Sequence, residues 1–241
     1  MYGWRGKIGL LVPSINTTME VDFHRFVPAG ITVHTGRVKY DGSPVAPEPL
    51  ARMATYLEDA ARDVASAKVD VIVYGCTSGS FFKGTSWDDE TANHLTEVTG
   101  IPTVTTSQSV REALHALGIT HLGVGTPYPE PINERLRAYF EEAGFKVVRV
   151  IGLGIGDVWE HGRLTPEEIY QLGRRVAAKP ANGVLIACTQ LRACEIIETL
   201  ERDTGLPAVG AVQASLWKAL RMIGLREEIK SLGQLCRSLN Q

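Results

Sequence analysis

The chain has 241 residues, 44% of them hydrophobic and 22% charged, with a formal charge of −2. This is the composition of a folded globular protein, and the small negative charge offers no basic patch to nucleic acid or an acidic membrane surface. No apolar run approaches the roughly 18 residues of a membrane span, and Met1-Tyr-Gly-Trp-Arg-Gly-Lys7 does not read as a signal peptide, so a cytoplasmic protein with no membrane partner is expected.

Residues 7–12 read as a buried strand, after which Ser14, Asn16, Thr17 and Thr18 supply hydroxyls and an amide at a helix start. A second strand is expected over 31–40. Residues 47–67 carry Leu50, Met53, Leu57, Ala61 and Val64 at helical spacing, an apolar stripe suited to a sheet face. Val71-Ile-Val-Tyr-Gly-Cys76-Thr77-Ser78 is a continuous β-rich run ending in small polar residues, the strand-to-helix turn where open α/β sheets hold ligands. A short strand over 102–106 and a helix over 107–117, N-capped by Ser107, complete the first half.

The second half opens with a strand over 121–126 that has Pro127-Tyr128 at its tip. A helix over 131–143 presents Ile132, Leu136 and Phe140 on one face and stops at Gly144. After a strand over 146–153, Gly152-Leu-Gly154-Ile-Gly156 lacks the last spaced glycine of a dinucleotide loop and reads as a strand-end turn. Residues 157–164 are expected to form a loop, and Thr165-Pro166-Glu167-Glu168 announces a helix. Gly183-Val-Leu-Ile-Ala-Cys188-Thr189-Gln190 then repeats the Cys76 pattern, and a helix over 216–231 closes the chain.

Each Cys-Thr turn leads on through a helix to Thr-Gly-aliphatic-Pro, at Thr99-Gly100-Ile-Pro102 and Thr204-Gly205-Leu-Pro207, so the chain holds an internal βαβα repeat. The expected architecture is α/β, with two pseudo-symmetric doubly wound lobes, each a short parallel four-stranded sheet flanked by helices, and the active site in the cleft between them. The first lobe would comprise 1–106 plus 214–241 and carry Cys76; the second would comprise 107–213 and carry Cys188.

A thiol at a helix N-terminus has its thiolate favoured by free N–H groups and the helix dipole, so both cysteines are expected below the free value of about 8.5. A carbon acid between two such thiols can lose a proton to one and gain one from the other. Alternatively one thiolate adds to a double bond, the adduct rotates, and elimination gives the other geometric isomer. A single buried cysteine reads first as packing; the duplicated Cys-Thr context reverses that for Cys76 and Cys188, while Cys194 and Cys236 stay packing residues.

Carboxylate-binding groups are sought at the strand tips: Asn16 and Tyr128 foremost, with Ser14, Thr17, Thr77, Ser78, Thr126, Thr189 and Gln190. Ser14, Thr17 and Thr18 serve equally well as helix caps, and Arg192 reads as a solvated surface residue. The histidines at 24, 34, 94, 115, 121 and 161 show no metal-ligand spacing and read mostly as surface or structural residues; no metal is expected. There is no Gly-x-Ser-x-Gly elbow.

Over nearly its whole length the chain resembles the aspartate/glutamate racemase superfamily, in the branch of maleate cis-trans isomerases and arylmalonate decarboxylase-like proteins. The carriers are Val12-Pro-Ser-Ile-Asn16-Thr-Thr-Met-Glu20, Tyr74-Gly-Cys76-Thr-Ser-Gly79, Thr126-Pro-Tyr128 and Ala187-Cys188-Thr-Gln-Leu-Arg192. The resemblance implies an isomerase or racemase of a small carboxylate without a cofactor, and a homodimer or higher homo-oligomer. It makes Cys76 the nucleophile, Cys188 the proton carrier, and Asn16 and Tyr128 the carboxylate grips. Arylmalonate-type decarboxylases have glycine at the first cysteine, which argues against a lyase relying on Cys188 alone; a non-catalytic carboxylate binder is the remaining alternative. The family's asparagine after the sixth strand falls on Val158, which implies a substrate with one carboxylate fewer than maleate, or an amino-acid derivative.

Overall fold

The computed structural model describes residues 2–40, 42, 44–226 and 228–237, and the backbone is organised around two four-stranded sheets. The first holds β1 (Gly6–Pro13), β2 (Ile31–Val38), β3 (Val71–Tyr74) and β4 (Thr103–Thr105) in the order β2-β1-β3-β4. The second holds β5 (His121–Thr126), β6 (Lys146–Gly152), β7 (Gly183–Ile186) and β8 (Ala208–Gly210) in the order β6-β5-β7-β8. Every pairing is parallel. The two orders are one pattern displaced by four strands, so the repeat in sequence is a repeat in space. β3 and β7 are buried at every residue, as parallel strands covered on both faces must be, which is why they read as unbroken apolar runs.

The helices are α1 (Met19–Phe26), α2 (Pro47–Ala54), α3 (Leu57–Ala65), α4 (Thr77–Phe81), α5 (Thr85–Thr99) and α6 (Thr106–Ala116). They continue with α7 (Glu130–Glu142), α8 (Val158–His161), α9 (Pro166–Val176), α10 (Ile197–Thr204), α11 (Ala211–Met222) and α12 (Gly233–Arg237). α6 and α11 follow the equivalent strands β4 and β8 and pack on each other, with the Ser215 hydroxyl bonded to that of Thr106 at 3.1 Å. Among the described residues no helix is long and apolar enough to cross a membrane.

Several expected elements differ in detail. The stripe over 47–67 is split into α2 and α3 because the Thr55 hydroxyl donates to the Arg52 carbonyl at 2.7 Å, and the Thr55 and Tyr56 N–H groups bond three residues back, tightening the turn. The cap of α6 is Thr105, which accepts from the Gln108 N–H while Gln108 accepts from Thr105 N–H; Ser107 lies inside the helix and bonds Ser80 instead. The expected loop at 157–164 contains α8, started by the Asp157 carboxylate accepting from Trp159 N–H at 3.0 Å. The last long helix begins at Ala211, directly after β8, and ends before Gly224, whose φ of +79° suits glycine. Residue 227 of the helix expected over 216–231, and residues 238–241 of the lobe expected over 214–241, lie outside the described residues.

A buried carboxylate joins the halves. Asp88 on α5 accepts hydrogen bonds from the Thr105 and Tyr139 hydroxyls, Tyr139 lying on α7. Burial pushes its pKa up to about 7, against the lowering effect of both hydroxyls and Arg111. A carboxyl group raised on folding favours the folded state below its unfolded value of 3.8 and loses that contribution as pH climbs through about 7. The three-unit span is worth on the order of 4 kcal/mol. Asp88→Asn is therefore expected to flatten the dependence of urea-unfolding stability between pH 4 and 7; an unchanged slope would show that Asp88 does not titrate there.

Candidate active site

In both sheets the two central strands deliver their C-terminal ends to one place. Pro13, Ile15 and Asn16 after β1, Cys76–Ser78 after β3, Tyr128 after β5 and Cys188–Gln190 after β7 line a single pocket. Tyr40, Val45, Leu50, Met53, Val158 and His161 complete its wall. The cavity is small, about 40 Å³, and admits only a compact ligand.

The two thiols are both buried here but differ in setting. Cys76 is the N-cap of α4, and its sulfur accepts from Gly79 N–H at 3.3 Å, with the Ser78 hydroxyl at 3.8 Å. Cys188 is followed by a turn, and the next α-helix begins only at Ile197. Its sulfur accepts from Gln190 N–H at 3.4 Å and has no helix end behind it. Burial pushes the Cys188 thiol up to about 12 against the lowering effect of the Gln190 and Leu191 N–H groups and the Tyr128 hydroxyl, and it raises Cys76 too, against the Gly79 N–H and the Ser78 and Tyr74 hydroxyls. The expectation that both thiols sit below 8.5 is overturned: desolvation of a fully enclosed sulfur outweighs the N–H groups aimed at it. The expectation of a helix start at each thiol holds for Cys76 alone.

Tyr74 stands behind Cys76 with its hydroxyl able to lower the thiol's pKa. The Tyr74 hydroxyl is buried without a hydrogen-bond partner and so is free to serve the thiolate once it forms; Tyr74→Phe should raise the pH at which Cys76 is alkylated and reduce turnover about tenfold. An unaltered alkylation profile would assign Tyr74 to packing alone.

Asn16 is fixed by its own backbone turn: Oδ1 accepts from Thr18 N–H at 3.0 Å and Met19 N–H at 2.9 Å. Nδ2 donates across the cleft to the Thr189 hydroxyl at 3.3 Å, which leaves its second hydrogen for a ligand. Thr189 donates to the Gly75 carbonyl at 3.2 Å, and Gln190 receives Thr17 N–H on Oε1 at 2.9 Å and the Thr18 hydroxyl on its backbone carbonyl at 3.0 Å. Chain positions more than 170 apart are thereby tied together at the site. Tyr128 is clasped by a small network in which Thr126 donates to Asn133 Oδ1 at 2.6 Å and Asn133 Nδ2 to the Tyr128 carbonyl at 3.0 Å. Gly152 lies against that network: a Cβ there would meet Asn133 Nδ2 at 2.0 Å, so this glycine serves close packing rather than a phosphate loop.

Of the residues singled out in the sequence, Asn16, Cys76, Thr77, Ser78, Tyr128, Cys188, Thr189 and Gln190 come together on the pocket wall. Ser14 and Thr17 do not. The Ser14 hydroxyl accepts from Tyr40 N–H at 3.0 Å, joining the ends of β1 and β2, and Thr17 is exposed beside Gln190. Arg192 pairs with Glu195 at 2.8 Å on the surface.

His161 was not among the expected site residues. It is fully buried on the pocket wall, its ring edge-on to Tyr128 with centroids 5.8 Å apart. Nε2 lies 2.8 Å from the Ile155 carbonyl, whereas Nδ1 has no protein partner. Nothing in the sequence marks it, since a lone histidine without spaced partners carries no signal; the helix that places it was itself expected to be a loop. Among the described residues no His, Cys, Asp and Glu cluster could hold a metal.

Comparison with known proteins bears on this arrangement. A family profile described as arylmalonate decarboxylase matches residues 8–236. The arylmalonate decarboxylase of Bordetella bronchiseptica is 30% identical over 219 residues, covering 90% of each chain. The maleate isomerase of Nocardia farcinica is 28% identical over 241 residues, covering 96% of this chain and 95% of that one. A solved structure of the Nocardia farcinica maleate cis-trans isomerase, a cysteine-to-serine variant with a covalently bound succinylcysteine intermediate, superposes with a TM-score of 0.90. That alignment has 26% identity and covers 96% of this chain and 98% of that one.

Proposed function

The chain belongs to the arylmalonate decarboxylase family, and on that premise we propose that it is a cofactor-independent isomerase interconverting the cis and trans forms of a small α,β-unsaturated carboxylate. Cys76 is the nucleophile and Cys188 the proton carrier. The observation that carries this reading is the inequality of two thiols in one pocket: the sulfur at a helix N-terminus is the easier to ionise, and the one without a helix keeps its proton. The maleate isomerase relatives and the succinylcysteine seen in one of them support it.

In the proposed reaction Asn16 Nδ2 and the Tyr128 hydroxyl hold the substrate carboxylate, with Thr77, Ser78, Thr189 and Gln190 shaping the pocket around it. The Cys76 thiolate forms a bond to the alkene carbon β to the carboxylate, and the π pair moves to the neighbouring carbon and its carboxylate. Cys188 S–H protonates that carbon and becomes a thiolate. The former double bond is now single and rotates. Cys188 then takes the proton back, the double bond re-forms, and the Cys76–carbon pair leaves with sulfur, restoring both groups. No electron sink beyond the substrate's own carboxylate is needed.

With this reading go the lobe division at 1–106 plus 214–241 and 107–213, a homodimer or higher homo-oligomer, and a cytoplasmic location. Incubating the protein with small cis-alkenoic and cis-alkenedioic acids and following geometric isomers by proton NMR tests the activity. Formation of the trans isomer without added cofactor is expected. Release of carbon dioxide that survives Cys76→Ala would instead identify a lyase working through Cys188.

A further inference from the structure

His161 is a polar residue on a pocket wall to which Val45, Leu50, Met53 and Val158 also contribute, and among the described residues no Lys, Arg, Asp or Glu lines any part of the pocket. His161 is fully buried in this setting. The carbonyl of Ile155, 2.8 Å from Nε2, can only accept a hydrogen bond, so it fixes the ring proton on Nε2. Nδ1 therefore carries a lone pair, is buried, and has no protein partner. Burial also holds the imidazole's pKa below its usual value, which keeps the ring neutral.

A buried acceptor without a donor costs free energy until a donor arrives. It also repels what a second carboxylate would bring, namely more lone pairs and a charge with no cation to meet it. Thr77 Oγ1, also buried on the wall without a hydrogen-bond partner, is a hydroxyl that can donate or accept. At His161 Nδ1 the wall accepts only an N–H or O–H.

Resting on the isomerase reading of the same pocket, we propose that His161 Nδ1 selects a substrate that carries, besides its carboxylate, a neutral hydrogen-bond donor such as a primary amide, rather than a second carboxylate. The substrate class is then the half-amide or hydroxyl-bearing relative of a short unsaturated diacid. Val158 adds to the selection by offering the second group no side-chain donor.

Binding of saturated analogues tests this without requiring turnover. Dissociation constants of the monoamide of succinic acid, of succinate, and of the succinic acid monomethyl ester are measured by calorimetry on the wild-type protein and on His161→Leu and His161→Gln. The monoamide should bind at least about tenfold more tightly than succinate and than the ester, which is neutral but lacks an N–H, the order expected when a buried polar group loses its partner. His161→Leu should abolish the preference over the ester, and His161→Gln, which keeps an acceptor, should restore part of it. Succinate binding most tightly, or the ester matching the monoamide in the wild type, would overturn the inference whatever the variants do. Monoamide preference with no isomerisation of any unsaturated counterpart would sink the isomerase reading and leave the role of His161 standing.

Discussion

Cys76→Ala is expected to lower kcat/KM for cis–trans interconversion by at least about 10⁴-fold, because it removes the atom that forms the covalent adduct and nothing else in the pocket can replace it. The fold should survive, since the change deletes one small buried atom and costs about 1–2 kcal/mol. Cys188→Ser has a different signature. Cys76 can still add to the alkene and the neighbouring carbon takes its proton from solvent water, but a neutral serine hydroxyl is too weak a base to remove it, so the adduct should accumulate. Intact-mass spectrometry should then show the protein heavier by one substrate molecule, with the label on the peptide containing Cys76. The raised pKa of Cys76 also fixes the sign of the pH profile: the thiolate fraction grows as pH rises, so kcat/KM should still be climbing at pH 9, the unperturbed value above which burial has moved this thiol. Near-native turnover in either cysteine variant would remove the two-thiol mechanism.

Gly79→Ala should also be damaging, though less so, although it touches no substrate. A Cβ at this position would meet the Tyr74 hydroxyl at 2.1 Å, Met53 Cε at 2.8 Å and the Cys76 sulfur at 3.0 Å. The methionine end can move, but Tyr74 is wholly enclosed and the sulfur is the proposed nucleophile. Overpacking at such a point costs about 1–3 kcal/mol, and displacing the nucleophile by a fraction of an ångström is expected to lower kcat by about 100-fold. Thermal denaturation and steady-state kinetics together check this. A variant with an unchanged melting temperature and unchanged kcat would show that Tyr74 and Cys76 relax freely.

The scaffold was largely legible in the sequence because parallel strands buried on both faces leave an unmistakable trace, as at 71–74 and 183–186. The two thiols were legible for a related reason, since each follows such a run directly. What was hidden depends on three-dimensional enclosure. Nothing in Cys-Thr-Ser against Cys-Thr-Gln says that only the first continues into helix, and no pattern reveals how completely a sulfur will be dehydrated. The break between α2 and α3 turned on one threonine hydroxyl. Ser14 was placed near the right spot but spends its hydroxyl on Tyr40, a strand-end tie that a linear chain does not display. His161 escaped notice because its significance lies in what one nitrogen lacks.

The hydrogen bonds from Asn16 to Thr189, from Thr17 N–H to Gln190 and from Thr18 to the Gln190 carbonyl span the cleft, and of these residues Asn16, Thr189 and Gln190 also line the pocket. The side chains that line the pocket and those that tie the two halves together are therefore in part the same, so a change at Asn16 or Gln190 alters the pocket and unties the halves together.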